Sequence, residues 1–344
     1  MNTRHCLTGR RFIPMLAACL VAGACAAADA EAPAPFTLQN DHWALTVEPR
    51  WGARLSSMRS LTVTQDFVCC WDDVKTDKRG NTMRYGGILR SMMSGSYQSS
   101  QPQDPYTVVR QDAVSADLTF DNTYMLLDGL HEARRIALEG RQVVFSVKVT
   151  NKGTEPRVIY YRLQDFAGVG LGRGRDSVYI VPRDAGMPEA FVREAGESVN
   201  HHVLNPAEPW YALADLVGNR GLLVNFTKAR PADIYFFASR RGQNMRTAEI
   251  FFPQARLMPG ETWEMEARYT AFAPAEPRTG DARLDERLAS GNIDAALAFA
   301  ARRGMRVGLP LNAELGLAPS AAVTVAPVHP ADQNFRVLGG PLGG

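Results

Sequence analysis

One predicted strand of this sequence carries hydrogen-bonding side chains along a single face. The alternation in residues 158–164 places Tyr160, Arg162 and Gln164 on the same side of that strand. Aromatic rings pack on the C–H faces of sugars and planar polar groups bind sugar hydroxyls, so this face suits a hydroxyl-rich ligand. A solvated face without a ligand is the alternative, because antiparallel sheets commonly expose one polar side.

The polar segment 71–87 combines aromatic, acidic and basic side chains. Loops on a rigid scaffold often carry binding groups, and Arg84 in this segment and Arg90 just beyond it have guanidinium groups suited to a bidentate contact with a carboxylate. We therefore expect these arginines to bind an acidic sugar such as a uronate. The aspartates of the segment lack the spacing of a calcium loop, and an ordinary solvated loop is the alternative interpretation.

Two adjacent histidines, His201 and His202, lie on another predicted strand. Neighbours on a strand point to opposite faces, so the two rings are not expected to chelate one metal ion. His201 is a candidate for acid–base chemistry and His202 for substrate binding, with a structural role as the alternative for each. Trp210 and Tyr211 open the next predicted strand, where either ring suits a sugar platform and core packing is the alternative.

Motifs for metals, nucleotides and hydrolytic nucleophiles do not occur in the sequence. The run Gly168–Gly174 precedes a predicted strand, whereas a phosphate-binding loop precedes a helix. Cys69 and Cys70 are adjacent, a poor arrangement for a mutual disulfide, and no further cysteine or histidine lies near them as a zinc ligand. The patterns Gly-x-Ser-x-Gly and His-Glu-x-x-His are missing. We predict neither a metal site nor a cofactor.

The beginning of the chain has the layout of a secretory leader. Three arginines precede an apolar stretch at 12–24 that is too short to span a membrane, and small residues follow it. We expect a signal peptide at residues 1–30 and a periplasmic or secreted protein, with lipid attachment at Cys25 as an alternative to ordinary cleavage. No later stretch reaches about 18 uninterrupted apolar residues, so no transmembrane segment is expected in the mature chain.

The composition is that of a globular protein without a strong electrostatic preference. Of the 344 residues, 45% are hydrophobic and 22% are charged, and 38 basic against 36 acidic side chains leave a formal net charge of +2. A charge this balanced argues against nucleic acid, or an anionic membrane, as the main partner.

Alternation of apolar and polar residues recurs throughout residues 36–275. It is clearest at 263–270, where every second residue is apolar, and turns such as Glu139-Gly140 separate the alternating runs. More than ten short strands with almost no helix predict an all-β fold of packed antiparallel sheets, forming one domain at 36–275. Helical spacing then predicts a short C-terminal helical segment at 280–304, and the Pro/Gly/Ala-rich residues 305–344 predict a loosely ordered tail.

Three segments in this order resemble the galactose-mutarotase-like supersandwich, the domain shared by aldose epimerases and many carbohydrate-active enzymes. Leu45–Met58 is similar to the opening strand, glycine turn and second strand of that family. Residues 141–165 contain a long strand that turns at Asn151-Lys-Gly and returns, and Leu257–Glu261 precedes a strand similar to the closing element. The resemblance spans about residues 36–272 and implies a large antiparallel β-supersandwich that binds carbohydrate.

The resemblance also implies where catalytic groups would lie. Mutarotases use a histidine on the strand after the asparagine turn as general acid and a later glutamate as general base. The matching strand here, Tyr160–Phe166, has no histidine, so mutarotation itself is not expected. Glu249 falls near the family's glutamate, and a working carboxyl pair would be Asp165 with Glu249, with His201 as a third catalytic candidate. Asp165 as an ordinary turn residue is the alternative.

Three functional hypotheses follow from these residues. The first is an exported carbohydrate-binding protein that acts on a sugar or uronate, as an epimerase, hydrolase or lyase. The second is a non-catalytic carbohydrate-binding module, which accounts for the missing histidine. The third is a periplasmic scaffold or protein-binding sandwich domain. Carbohydrate or a sugar acid is the ligand common to the first two.

Overall fold

A computed structural model of the chain describes residues 33–69, 73–76, 82–94, 104–169, 177–184, 187–191, 199–215, 220–238, 246–272, 306–308 and 322–325. The predicted signal peptide and the predicted helical segment at 280–304 lie outside these residues. Of the predicted tail, only two short strands are described.

Strands and one turn of 3-10 helix, Pro49–Trp51, make up the regular structure of the described residues, which contain no α-helix. This confirms the predicted all-β fold. The strands in chain order are β1 Phe36–Gln39, β2 Trp43–Glu48, β3 Arg54–Ser60, β4 Gln65–Asp66, β5 Asp73–Thr76, β6 Thr82–Tyr85, β7 Arg90–Met92, β8 Thr107–Gln111, β9 Ser115–Asp121, β10 Leu130–Glu139, β11 Gln142–Asn151, β12 Arg157–Ile159, β13 Arg162–Asp165, β14 Ser177–Asp184, β15 Met187–Phe191, β16 Val199–Leu204, β17 Trp210–Asp215, β18 Arg220–Thr227, β19 Asp233–Ala238, β20 Arg246–Phe251, β21 Ala255–Leu257, β22 Thr262–Phe272, β23 Arg306–Gly308 and β24 Ala322–Val325.

Two sheets form the sandwich, one with eleven strands and one with five. The large sheet has the order β23-β24-β15-β14-β17-β18-β22-β11-β10-β9-β8, and the small sheet has the order β16-β19-β20-β13-β7. Neighbouring strands are antiparallel except β15 and β24. The strands β1 to β4 form a separate four-stranded sheet, and β12-β21 and β5-β6 form two-stranded ladders.

Alternation explains why these segments become strands with one buried face. In β22 the side chains of Met265, Ala267 and Tyr269 are fully buried, while Glu264 and Glu266 lie on the opposite face. Burying an aromatic or aliphatic side chain stabilises the folded state by about 1.5–3 kcal/mol, which drives this face against the small sheet.

Aromatic side chains mark the contact between the large and the small sheet. Phe236 on β19 lies 4.8 Å from Tyr179 on β14 and 5.7 Å from Tyr211 on β17, measured between ring centroids. All three rings are buried. The faces of the two sheets that carry these rings therefore enclose the core.

Arg134 on β10 is a charged group inside this core. It donates to the backbone oxygen of Gly52 at 2.7 Å and to the Glu132 carboxylate at 2.7 and 3.0 Å, and its guanidinium lies 4.4 Å from the centroid of the Tyr106 ring. Burial alone would lower the pKa of Arg134, but Tyr106 and Glu132 raise it above the usual value. The guanidinium therefore stays charged and ties β10 to the segment after the 3-10 turn.

Asn151 ends β11 and joins two turns at one end of the sandwich. Its amide nitrogen donates to the backbone oxygens of Glu155 at 2.8 Å and Leu257 at 3.0 Å, and its Oδ1 accepts from the Gly153 nitrogen at 3.0 Å. The side chain is fully buried. This confirms the predicted turn at the asparagine and explains the residue type, because the amide supplies a donor and an acceptor together.

Candidate functional site

A single row of side chains crosses the whole small sheet. Residues directly opposite each other in antiparallel strands point to the same face, and the pairing aligns five side chains across the sheet. Neighbouring strands lie about 4.8 Å apart, so the row is ~19 Å long. From β7 to β16 its members are Arg90, Gln164, Glu249, Tyr235 and His202.

The row lies on the face of the small sheet that points away from the large sheet. Phe236, the neighbour of Tyr235 on β19, contacts Tyr211 of the large sheet, so Tyr235 points the other way. We call this surface the site face. It also carries Arg162 and Phe251, which pair with each other one row along β13 and β20.

Glu249 is the acceptor at the centre of the site face. Its Oε1 accepts from Gln164 Nε2 and Thr247 Oγ1, each at 2.8 Å, and its Oε2 accepts from Arg162 Nη2. Arg90 in turn donates through Nη1 to the side-chain oxygen of Gln164. All five side chains are buried. The carboxylate thus holds two arginines and an amide in one connected array with fixed directions.

Two aromatic rings border this array and remain partly exposed. The centroids of Tyr160 and Phe251 are 5.8 Å apart, and the Arg162 guanidinium lies 4.8 Å from the centroid of the Phe251 ring. Burial, followed by the nearby Asp233 carboxylate, raises the pKa of Tyr160, so its hydroxyl is a neutral donor at physiological pH. The two rings therefore offer apolar surface directly beside a guanidinium.

His202 closes the other end of the row. Its Nδ1 lies 2.6 Å from Oδ2 of Asp233, and its ring stacks on Tyr235 with 4.2 Å between centroids and 16° between planes. The Tyr235 hydroxyl donates to Asn200 Oδ1 at 2.6 Å. The carboxylate therefore orients the imidazole, and the tyrosine ring supports it from one side.

The register separates Asp165 from Glu249. Glu249 lies opposite Gln164, whereas Asp165 lies opposite Ala248, so the two carboxylates point to opposite faces of the small sheet. The predicted carboxyl pair is corrected by this observation. Adjacent positions on a strand alternate in direction, and the position that faces Glu249 is 164 and not 165.

Asp165 lies in the core between the two sheets. Its Oδ2 accepts from the hydroxyls of Tyr269 at 2.8 Å and Tyr211 at 3.1 Å, and its Oδ1 accepts from the Leu89 nitrogen at 2.9 Å. Burial raises the pKa of Asp165 to about 6, against the three hydrogen bonds, which lower it. Both tyrosines come from the large sheet, so Asp165 joins the two layers of the sandwich.

Leu89 connects this buried carboxylate to the site face. It has a left-handed backbone with φ of 66°, which is unfavourable for a leucine by about 1–2 kcal/mol. Its nitrogen donates to Asp165 and its carbonyl oxygen accepts from Arg134 Nη1 at 3.4 Å. Arg90 is the next residue and begins β7. The interior therefore holds the backbone that directs Arg90 onto the site face.

The remaining predicted residues lie elsewhere. His201 is buried and, as the neighbour of His202, points to the core side of the small sheet, while Tyr211 faces Asp165 from the large sheet. Trp210 is buried on the outer side of the large sheet, where its Nε1 donates to Glu208 Oε2 at 2.7 Å. Arg84 lies on β6, and its side chain is outside the described residues.

The site face brings together five of the ten residues predicted to bind or to catalyse, and Tyr160 lies at its border. They come from four strands that are far apart in the chain, and their roles in binding or catalysis stay predictions. These five residues are Arg90, Arg162, Gln164, His202 and Glu249.

Sequence reasoning missed four residues of the site face: Tyr235, Asp233, Thr247 and Phe251. All four lie in the region 36–275 where strands were predicted, but nothing local to a strand indicates its partner across a sheet. The alternation of Asp233 and Tyr235 with the apolar Ile234 and Phe236 was the available signal that these two side chains share a polar face.

The described residues contain no group of three His, Cys, Asp or Glu side chains placed to hold a metal ion. Across the same part of the chain, no helix has the length and apolar character needed to cross a membrane.

Comparison with known proteins identifies the fold. No protein-family model and no curated protein matches the chain. Its structure is similar to that of a galactose mutarotase-like protein from Lactobacillus casei ATCC 334, with a TM-score of 0.50 and 12% identity over 69% of this chain and 100% of that one. A protein from Synechocystis sp. PCC 6803 gives a TM-score of 0.55 and 12% identity over 70% of this chain and 96% of its own.

A third similar structure is a TPR-domain containing protein from Parabacteroides distasonis ATCC 8503. It has a TM-score of 0.52 and 11% identity, covering 78% of this chain and 54% of that protein. Identities this low establish the fold alone. The chain therefore has the galactose-mutarotase-like fold that its three sequence segments predicted.

Proposed function

We propose that this protein binds a carbohydrate on the site face. The observation that carries the proposal is the connected array of Arg90, Gln164, Glu249 and Arg162 beside two partly exposed aromatic rings. Sugars combine hydroxyl groups with apolar C–H faces, and a binding surface needs oriented polar groups and rings side by side. The mutarotase-like fold supports the proposal as the scaffold of a sugar-related superfamily.

The charges of the array favour a sugar acid at one end. Arg90 and Arg162 lie on the neighbouring strands β7 and β13, and Glu249 pairs with Arg162. Guanidinium groups bind carboxylates through two parallel hydrogen bonds, so a uronate carboxylate fits next to β7. This retains the sequence-based proposal for Arg90.

Turnover of the bound sugar is the second candidate function. His202 and Glu249 stand on the same row with one strand between them, so an imidazole and a carboxylate are separated by about 10 Å at the backbone. His202 and Glu249 can serve as acid and base only if the Glu249 carboxylate first loses some of the hydrogen bonds that it accepts from neighbouring side chains. Binding is therefore the primary proposal, and an epimerase, hydrolase or lyase reaction is the secondary one.

Export is part of the proposal and rests on residues 1–30 alone. An arginine-rich start, an apolar stretch and small residues predict cleavage and a periplasmic or secreted product, with a lipid on Cys25 as the alternative. The mass of the mature amino-terminal peptide from fractionated cells distinguishes a free terminus, a lipid-modified cysteine and an uncleaved leader.

A glycan array followed by titration calorimetry tests carbohydrate binding. We expect the purified protein to retain at least one saccharide, and Glu249→Gln to weaken its affinity at least tenfold, because the glutamine has no negative charge and offers Arg162 and Gln164 one acceptor oxygen in place of two. Glu264→Gln is the matched control, since Glu264 pairs with Lys148 and Lys228 on the outer face of the large sheet. Melting curves confirm that both variants are folded at the assay temperature.

The outcomes separate the hypotheses. Retention of no saccharide by the unaltered protein contradicts the proposal and favours a protein-binding or scaffold role. Equal affinity of the two proteins for a retained saccharide contradicts binding at the Glu249 array. Product formation, followed by nuclear magnetic resonance, that disappears in Glu249→Gln adds catalysis to binding. Binding without product formation identifies a non-catalytic module.

A further inference from the structure

Asp233 has a buried carboxylate oxygen that accepts no hydrogen bond among the described residues. The residue is 4% exposed, and its Oδ2 pairs with His202 Nδ1 at 2.6 Å, while Oδ1 has no donor. A buried acceptor without a donor is unfavourable by about 1–3 kcal/mol, and more when the group is charged. Most buried polar atoms of folded proteins have a partner, so this oxygen has room for a donor from outside the described residues.

The surroundings of Asp233 fit a sugar ring. Asp233 lies directly opposite Phe251 in the pairing of β19 with β20, and Phe251 forms the partly exposed aromatic pair with Tyr160. The carboxylate is near enough to Tyr160 to raise the pKa of its hydroxyl. The Arg162 guanidinium lies 4.8 Å from the centroid of the Phe251 ring. One acceptor, two rings and one donor group therefore meet at the same place on the site face.

We infer that Asp233 accepts a hydrogen bond from a hydroxyl of a neutral sugar ring that packs on Tyr160 and Phe251. The inference rests on the proposed carbohydrate-binding function and adds to it the residue, the ligand group and the charge of the ring. A hydroxyl that donates to a carboxylate forms a short, charge-assisted hydrogen bond, which is stronger than a bond between neutral groups. His202 fixes the direction of the carboxylate through its other oxygen.

The ring at this subsite is neutral because Asp233 repels a second carboxylate. Asp233 lies on β19, three strands from Arg90 on β7, which is about 14 Å across the sheet. A sugar acid can approach the arginines, but its carboxylate is disfavoured beside Asp233. The site face thus has an arginine end for an acidic group and an aspartate end for hydroxyls.

The experiment uses defined probes with the full chain. Methyl glycosides of glucose, galactose and mannose are titrated in parallel with glucuronate and galacturonate, and the monodeoxy forms of the best-bound neutral glycoside follow. We expect Asp233→Asn to weaken the neutral glycoside about tenfold and to leave uronate affinity unchanged or tighter, because a negative charge is removed. Asp117→Asn is the matched control, since Asp117 pairs with Arg135 on the large sheet.

The deoxy series separates a direct contact from a structural effect. The unaltered protein should lose about tenfold in affinity for one monodeoxy glycoside, and Asp233→Asn, whose amide oxygen is a neutral and weaker acceptor, should discriminate less between that compound and its parent. His202→Gln should reduce the discrimination less than Asp233→Asn does, because the Asp233 acceptor remains although the imidazole no longer orients it. This readout holds even where a variant is less stable.

Each result decides between the proposals. The inference is overturned if Asp233→Asn and the unaltered protein discriminate equally among the deoxy glycosides. It is also overturned if the unaltered protein binds uronates alone. In both cases the proposed carbohydrate binding still stands. Failure of the unaltered protein to bind any glycoside, uronate or arrayed glycan overturns the proposed function and this inference with it.

Discussion

Asp165 shows how a single buried group shapes the pH dependence of this fold. The carboxyl accepts hydrogen bonds from Leu89, Tyr211 and Tyr269 but makes no ion pair among the described residues. Burial raises its pKa from 3.8 to about 6, so between these values the folded state binds more protons than the unfolded state. Stability from this group therefore falls as the pH rises through that window.

Asp165→Asn provides the test at the level of the residue. The free energy of unfolding of the unaltered protein, relative to Asp165→Asn, is expected to fall by about 2 kcal/mol between pH 4 and pH 6 and by about 3 kcal/mol over the whole titration, since each pKa unit corresponds to about 1.4 kcal/mol. Above pH 7 the difference becomes constant, because both states are then ionised. Urea unfolding at a series of pH values measures it, and a difference that does not change with pH contradicts the assignment.

The sequence alone predicted which side chains share a face of a strand, but it did not predict which strands pair with each other. Alternation correctly placed Arg162 and Gln164 on one side of β13 and separated His201 from His202. It also implied that Asp165 points away from Gln164, but the choice of Glu249 as its partner required the pairing of β13 with β20. That pairing joins residues more than 80 positions apart, and no local property of either strand encodes it.

At the level of elements, turns were predictable because their chemistry is local. Glu139-Gly140 joins β10 to β11 in a hairpin, and Pro259-Gly260 precedes β22, as predicted. The close approach of Gly129 and Gly153 was not predictable, since these glycines belong to two different turns. A Cβ on Gly129 would lie 2.8 Å from the Gly153 Cα atom. Asn151 holds the second of these turns in place.

Alanine substitutions at Gly129 and Gly140 distinguish the effect of a left-handed backbone from the effect of a steric clash. Gly129 and Gly140 both have positive φ, 83° and 56°, but only a Cβ at Gly129 meets a neighbour within 4 Å besides its own chain neighbours. Gly140→Ala should lower the free energy of unfolding by about 1 kcal/mol, from left-handed strain alone. Gly129→Ala should lower it by at least 1–2 kcal/mol more, because backbone meets backbone. Equal losses in urea unfolding would contradict the crowding argument.

At the level of the whole molecule, neighbouring strands in the middle of the large sheet come from distant parts of the chain. β22 lies between β18 and β11, although residues 142–150 of β11 precede their partners by about 120 positions. The consecutive run β8 to β11 follows the chain order and could be expected from the sequence. The position of β22 between β18 and β11 could not be expected from the sequence. The apolar face of β22 shows that the strand must be buried in a sheet, but it does not show which strands lie beside it.

Truncation tests both the position of β22 and the predicted domain at 36–275. A chain of residues 36–275 is expected to unfold cooperatively with a β-type circular dichroism spectrum. A chain of residues 36–261 lacks β22, leaves two open edges in the middle of the sheet and loses the buried side chains of Met265, Ala267 and Tyr269, so it should not fold. Cooperative unfolding of the shorter chain contradicts the strand order, and failure of the longer one contradicts the domain boundary.

Leu89 has a practical consequence for engineering the binding function that we propose for the site face. The peptide groups before and after it are each held by a buried side chain, Asp165 at its nitrogen and Arg134 at its carbonyl oxygen, and Arg90 follows immediately. Random mutagenesis should therefore recover recognition-deficient proteins whose lesions map to Asp165 or Arg134, deep beneath the surface. A library that aims at new selectivity would keep those positions constant and diversify the rim around Tyr160 instead.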